Sequence, residues 1–406
     1  MRERDRLSEL ESFLSEDARA FRKSAIRAFG RITSDPRVIS FAGGLPNPAT
    51  FPITRLAELA SSVIREKSLV AMQYGATPGL PRLRETVAQI CGQRQIQCTA
   101  GEVLLTTGSQ QALDLVARTL IDPGDVVLVE LPSYIGGLSS LYARRAELVG
   151  VLQDDGGIIP EDLDRICSRL KREQRRIKVL YTIPNFQNPS GRLMTQHRRR
   201  EILELSRQFD FLIIEDDPYG ELVFSDESDT TPIRALDSSG RVIYLGSFSK
   251  ILSPGLRCGF VVASEPIFTR LELAKEAADL CSGMLDQCIV DEFCASGELP
   301  AQVERVRDFY RARRDVLMKS LDQHFTGLAE WTPADGGLFT FVTLGDDRDT
   351  REWVTRSVEK GVAYIPGAPF FVDGSGANTM RLTFAKEPDD RIRDGMARLA
   401  AVLFGS

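Results

Sequence analysis

The stretch SFSK, residues 247–250, is followed by ILSPGLRCG, which places Arg257 seven positions after Lys250. A lysine amine attacks a carbonyl when it is partly desolvated or held beside another cation. Ser247, Ser249 and Arg257 add two hydroxyls and a guanidinium, donors suited to a phosphate. A solvated polar loop would have the same composition, so the meaning of Lys250 depends on other stretches.

Three others carry chemistry. In VLLTTGSQQALDLVARTL a strand runs into Gly108, and Ser109 is the expected N-cap of a helix whose apolar face is Leu113, Val116, Ala117 and Leu120. Such a turn exposes backbone N–H groups and the positive end of the helix dipole to an anion, phosphate above all, although many strand-to-helix turns bind nothing. In YTIPNFQNPSG, residues 181–191, Asn and Pro either make an ordinary turn or present the Asn188 amide to a ligand at the C-terminal edge of a sheet. FLIIEDDPYG, residues 211–220, ends an apolar run in three carboxylates, with Asp216 three positions before Tyr219. A buried carboxylate needs a partner. A metal is one, without neighbouring His or Cys to support it; a protonated heterocyclic nitrogen is another. Lysine, phosphate donors, carboxylate and phenol together meet the needs of pyridoxal 5′-phosphate, which has an aldehyde, a phosphate handle and a pyridine nitrogen.

The elements that must position these residues follow from the apolar pattern. The runs EVLLTT, DVVLVE, KVLYTIP, FLIIEDD, VIYLGS and GFVVA read as strands, several of them apolar throughout, as in parallel strands covered on both faces. Helical segments such as LPRLRETVAQIC and HRRREILELSRQF lie between them, which predicts an α/β fold with an open, mainly parallel sheet. From about residue 300 a long charged helix precedes Gly-rich strand pieces, GGLFTFVTL and MRLTFA, so a smaller α+β domain is expected. The expected division is an N-terminal segment, 1–45, on the small domain and substrate mouth, a large domain, 46–298, and a small one, 299–406.

Composition narrows the function. Of 406 residues, 43% are hydrophobic and 27% charged, and the net charge of -6 argues against a nucleic-acid surface. The basic runs LKREQRR and HRRRE read as solvated helix faces. No apolar run approaches a membrane span, and the charged first residues hold no signal core, so a cytoplasmic protein is expected. Seven cysteines without a CxxC pair suit reduced thiols, and two histidines, His197 and His324, give poor support to a metal centre or a His-based triad.

Taken in order, ISFAGGLPNPATFP, QYGATPGLPRLRE, PNFQNPSG, IIEDDPYG and SFSKILSPGLRCGF resemble the fold type I, pyridoxal-phosphate-dependent class I/II aminotransferases, in particular the branch with 2-aminoadipate and kynurenine aminotransferases. The resemblance runs from about residue 38 to 385. It implies that Lys250 bonds the cofactor and shuttles a proton. It implies that Asp216 pairs with the ring nitrogen, that Asn188 and Tyr219 donate to the phenolic oxygen, and that Tyr134 stacks on the ring. Ser109, Gln110, Ser247, Ser249 and Arg257 resemble the phosphate cup. Tyr74 resembles a tyrosine that reaches the phosphate of the other subunit, which implies a homodimer. Arg381, in NTMRLTFA, resembles the arginine for the substrate α-carboxylate; Gly43 and Gly44 resemble the glycines of the mouth, and Arg27 an N-terminal arginine near the substrate side chain.

The implied reaction is amino transfer from an L-amino acid to a 2-oxo acid, 2-oxoglutarate in particular, by a ping-pong mechanism, with 2-aminoadipate, aromatic or branched-chain donors. A decarboxylase or β-lyase on the same scaffold is the alternative chemistry. A transcriptional regulator with an aminotransferase-like domain is the alternative class, and the ~40 residues before the resemblance are too few for its winged-helix module.

Overall fold

The computed structural model describes residues 11–21 and 35–405. Its larger sheet has eight strands: β2 (Val103–Thr106), β3 (Val126–Leu131), β4 (Glu147–Asp154), β5 (Gly157–Ile158), β6 (Ile177–Thr182), β7 (Leu212–Asp216), β8 (Val242–Ser247) and β9 (Gly259–Val262). They lie in the order β2-β9-β8-β7-β6-β3-β4-β5. The central five are parallel; β9 runs antiparallel to β8 and β2, and β5 antiparallel to β4.

The apolar runs explain this arrangement. Every residue of β3 is buried. Successive side chains of a strand point to opposite faces, and here both faces are covered. Val127 and Val129 join one core, while Val126 and Leu128 join a second. Ile214 and Ile213 of β7 divide between the same two cores. Helices supply the covering layers, as a parallel sheet requires. The helix Gln196–Gln208, for example, buries Ile202 and Leu203. The parallel strands β6, β7 and β8 end on one edge, and the polar stretches singled out in the sequence leave from there.

A second sheet has the antiparallel order β10-β11-β14-β13, formed by Ala329–Trp331, Phe339–Leu344, Thr379–Thr383 and Ile365–Pro366. The helices Leu299–Phe325 and Asp389–Phe404 pack on each other beside it. Strand β1 (Ile39–Ser40) pairs in parallel with β12 (Val362–Ala363). The chain then stays attached, because the Phe41 amide donates to Ala363 and the Thr383 amide donates to the Phe41 carbonyl. These bonds deliver Ala42, Gly43 and Gly44 from the small sheet to the edge of the large one.

Two details differ from expectation. Gly108, not Ser109, is the N-cap of the helix Ser109–Leu120. Gly108 has φ 80°, a left-handed conformation that glycine adopts without strain, so the helix opens one residue earlier than the Ser109 capping preference suggests. In the N-terminal segment, β1 lies on the small sheet, but the short helix Glu16–Ala20 lies on the large unit. There Glu16 and Asp17 pair with Arg145 and Arg144, which follow the helix Ile135–Ala143. Arg27 is outside the described residues.

Candidate active site

A cavity of about 920 Å³ opens at the edge where the parallel strands end. Lys250, Asp216, Tyr219, Asn188, Tyr134, Ser109, Gln110, Ser247, Ser249, Arg257, Arg381 and Gly44 all line it. Sequence positions from 44 to 381 therefore converge on one volume. Gly43 is not among the lining residues, and Tyr74 lies away from the cavity with 79% of its surface exposed.

Strand β7 brings Asp216 to the cavity floor. Its Oδ2 accepts from the Tyr181 hydroxyl at 3.0 Å. Its Oδ1 is buried and has no partner. Burial pushes its pKa from the usual carboxyl range up to about 7, against the hydrogen bond from Tyr181. An orphaned carboxylate oxygen facing a cavity is the expected mark of a ligand donor or cation.

Lys250 follows β8 and its Nζ donates to the Gly44 carbonyl at 3.2 Å. Burial, then the nearby Arg381 and Arg257, hold its amine down at about 8. A substantial fraction of such an amine is neutral near pH 8, which a nucleophile or proton acceptor requires.

Arg257 adopts φ 46° and donates through Nη2 to the Thr107 carbonyl at 3.1 Å, beside the N-terminus of the helix Ser109–Leu120. A Cβ on Gly108 would lie 2.5 Å from that same Nη2, so glycine makes room for the guanidinium as well as for the turn. The Ser249 amide donates to Ser247 Oγ at 3.1 Å. Gln110 is held by Gly136 and Ser140. Hydroxyls, a guanidinium and a helix N-terminus thus form an anion cradle.

Arg381, on β14, is buried, and burial pulls its pKa down to about 10. Its Nη1 donates to Asn188 Oδ1 at 2.8 Å and its Nη2 to the Ala42 carbonyl at 2.8 Å, whereas Nε has no partner. No carboxylate pairs with it among the described residues, an arrangement suited to an incoming anion. Asn188 also hydrogen-bonds the Tyr219 hydroxyl, whose pKa is raised by burial.

Sequence reading missed Phe339 and Tyr181. The Phe339 ring lies 4.2 Å from the Arg381 guanidinium carbon and edge-on to Tyr219 at 5.9 Å. Phe339 was visible only as an aromatic after two glycines in GGLFTF. Tyr181 lies in an apolar run and gave no polar signal.

The residues fit pyridoxal 5′-phosphate. An unpartnered acid oxygen, a neutral-prone lysine and an anion cradle meet the demands of its ring nitrogen, aldehyde and phosphate respectively. Among the described residues there is no helix long and apolar enough to cross a membrane and no cluster of possible metal ligands.

Comparison with known proteins agrees. A family model described as "Aminotransferase class I and II" matches residues 38–399. An aromatic-amino-acid aminotransferase of Thermococcus litoralis is 40% identical, over 97% of this chain and 94% of its own length. A 2-aminoadipate transaminase of Thermus thermophilus is 39% identical over 94% of each chain. The crystal structure of a Pyrococcus horikoshii kynurenine aminotransferase in complex with PMP superposes with a TM-score of 0.93 at 39% identity, over 98% of both chains. Matched along nearly its whole length, the chain belongs to the class I and II aminotransferases, a family that works with pyridoxal 5′-phosphate.

Proposed function

We propose that this aminotransferase moves the amino group of an L-amino acid to 2-oxoglutarate in two half-reactions, the first keto acid leaving before the second enters. The observation that carries this reading is the convergence of Lys250, the unpartnered oxygen of Asp216 and the unpaired cation of Arg381 on one cavity. Pyridoxal 5′-phosphate, when bound, supplies an aldehyde for the substrate amine and a ring that accepts the electron pair left when Cα loses its proton.

The chain's residues do the rest. Lys250 would hold the cofactor through its aldehyde; displaced from it by the substrate amine, its neutral Nζ would take the proton from the substrate Cα and give it to the cofactor carbon that carries the nitrogen. Asp216 Oδ1 keeps a proton on the ring nitrogen, and a buried carboxylate does this well because little water competes for the contact. Tyr219 and Asn188 hold the phenolic oxygen and Tyr134 the ring face. Ser109, Gln110, Ser247, Ser249 and Arg257 bind the phosphate. Arg381 takes the substrate α-carboxylate, and Phe339 and Asn188 keep its fork in place. Gly43 and Gly44 leave the mouth open.

The active form proposed is a homodimer. The segment Leu69–Tyr74 exposes Leu69, Val70, Met72 and Tyr74, a patch of the kind that a second copy covers. Tyr74 would then complete the phosphate site of the partner. On the proposed division into a large unit, 46–298, and a small one, 299–406, the cavity, lined by residues of both, would lie where the two meet. All seven cysteines are free thiols, which suits the cytoplasm.

Donors of the 2-aminoadipate and aromatic classes are proposed from the relatives' names, and branched-chain donors with them from a cavity lined by both Phe339 and Arg381. The test is a panel of these donors with 2-oxoglutarate. One glutamate formed per keto acid supports amino transfer; release of CO2, or of pyruvate and a leaving group, without glutamate points to decarboxylation or β-elimination.

A further inference from the structure

Beside the ligand-facing Asp216 lies a second buried carboxylate, Asp217, which faces away from the cavity. Its four hydrogen-bond donors, Arg94, Asn185, Tyr244 and Gly220, are absent from the cavity lining. Arg94 reaches it from the C-cap of the helix Pro81–Gln93, donating through Nη1 to Asp217 Oδ2 at 2.5 Å and to the Tyr244 hydroxyl at 2.8 Å. Its Nη2 donates to the Thr230 carbonyl at 3.0 Å. The side chain of Arg94 is 13% exposed and that of Asp217 fully buried, so water screens this pair poorly. A Cβ on Gly220 would lie 2.3 Å from Arg94 Nη2 and 2.7 Å from Asp217 Oδ1. Glycine at 220 is what lets the guanidinium close over the carboxylate.

We propose that Arg94 is a positioning residue of the active site: it holds and neutralises Asp217, so that Asp216 alone of the pair presents its charge to the cavity. Two adjacent buried carboxylates compete, since the charge on one disfavours ionisation of the other. Asp217 acts on Asp216 in that sense, and Arg94 is the cation in direct contact with Asp217. Without Arg94, the uncancelled charge of Asp217 would favour a neutral Asp216, which holds a protonated ring nitrogen less well. The inference rests on the reading of Asp216 as partner of the ring nitrogen.

The test uses the full-length apoprotein, titrated with pyridoxal 5′-phosphate, and the reconstituted enzyme. Arg94→Met should raise the Kd for the cofactor by about tenfold or more and lower kcat with little change in the KM for the amino donor, because Arg381 is untouched. Arg94→Lys, which keeps the charge, should restore much of both. The double variant Arg94→Met/Asp217→Asn decides the matter, since it removes both charges at nearly constant volume. Recovery of most of the lost cofactor affinity in the double variant supports charge cancellation. A double variant as weak as Arg94→Met, or weaker, overturns the proposal and leaves Arg94 a packing residue. Loss of the native thermal transition in Arg94→Met alone does not block the test, because the lysine and double variants carry the same comparison. Asp216→Asn separates the two levels. If it binds cofactor and turns over like the unaltered enzyme, the reading of Asp216 fails; if it is crippled while the double variant does not recover, only the role of Arg94 fails.

Discussion

The cavity floor and its approaches are built on different terms. On the floor, Asp216 and Arg381 are buried and Lys250 is half-buried within one chain, and their pKa values are displaced to about 7, 10 and 8, chiefly by desolvation. At the cavity mouth Leu45 is 76% exposed, and away from the cavity Tyr74 is 79% exposed. The floor is finished by the fold itself, and on the homodimer proposed above a second copy or a substrate would complete the approaches. Chemistry common to every amino acid belongs on the first; choice among amino acids belongs on the second.

The comparison breaks most visibly at Asp216. Asp216→Ala should lower kcat by several orders of magnitude, on the scale of ~4 kcal/mol or more, because an unprotonated ring accepts the electron pair poorly. Steady-state kinetics of the purified variant checks this. A loss of about tenfold or less would make Asp216 a structural carboxylate.

Asp216 on the floor, with two buried carboxyls outside the cavity lining, should also show in the pH dependence of apoprotein stability. Burial raises Asp216, Glu130 and Glu215 to about 7 from ordinary values of 3.8, 4.5 and 4.5. Folding therefore favours their neutral forms. Their contribution is fully present below about 4 and is lost as pH rises through about 7. Lys250, lowered to about 8, changes its contribution only above that window. Urea midpoints of the apoprotein should fall between pH 5 and pH 7, and Asp216→Asn should flatten the fall. An unchanged slope in Asp216→Asn would show that Asp216 is already ionised in the apoprotein.

Much of the floor was legible in the sequence because burial leaves polar residues few roles. A carboxylate ending the apolar run of β7 needs a partner, and a lysine just after two serines at the end of β8 needs a reason to be there. Four of the six strand runs, those of β3, β6, β7 and β8, were legible for the same cause: parallel strands covered on both faces are apolar throughout. The opening of the helix at Ser109 was misjudged by one residue, since the left-handed turn at Gly108 outweighs the capping preference of serine. Phe339 and Tyr181 stayed hidden because aromatic residues in apolar runs look alike whether they pack a core or touch a site. Arg94 stayed hidden because its partner is 123 positions away.

The approaches are sharpened by a mixing experiment. Inactive Lys250→Ala combined with a weakened Tyr74→Phe should form hybrid dimers, each with one site intact in both residues. Activity should rise above the sum of the separate variants. If it does not, after subunit exchange is verified by mass, the site is built within one chain.

The smallest effect expected is that of Arg27→Ala. An arginine that meets only acidic side chains should contribute one charge-assisted hydrogen bond, ~1.5–3 kcal/mol in kcat/KM for 2-oxoglutarate or an acidic donor. Leucine-like and aromatic donors should be nearly unaffected. Equal losses for both kinds, or none for either, would place selectivity elsewhere.

The central claim, that Lys250 is the residue which bonds the cofactor in this cavity, can be read directly. The protein is loaded with pyridoxal 5′-phosphate, treated with borohydride, digested and mapped by mass spectrometry. The account predicts stoichiometric labelling of the peptide containing Lys250, and none at that site in a folded, inactive Lys250→Ala. Stoichiometric labelling of another lysine, or full turnover by Lys250→Ala free of the unaltered enzyme, would contradict it.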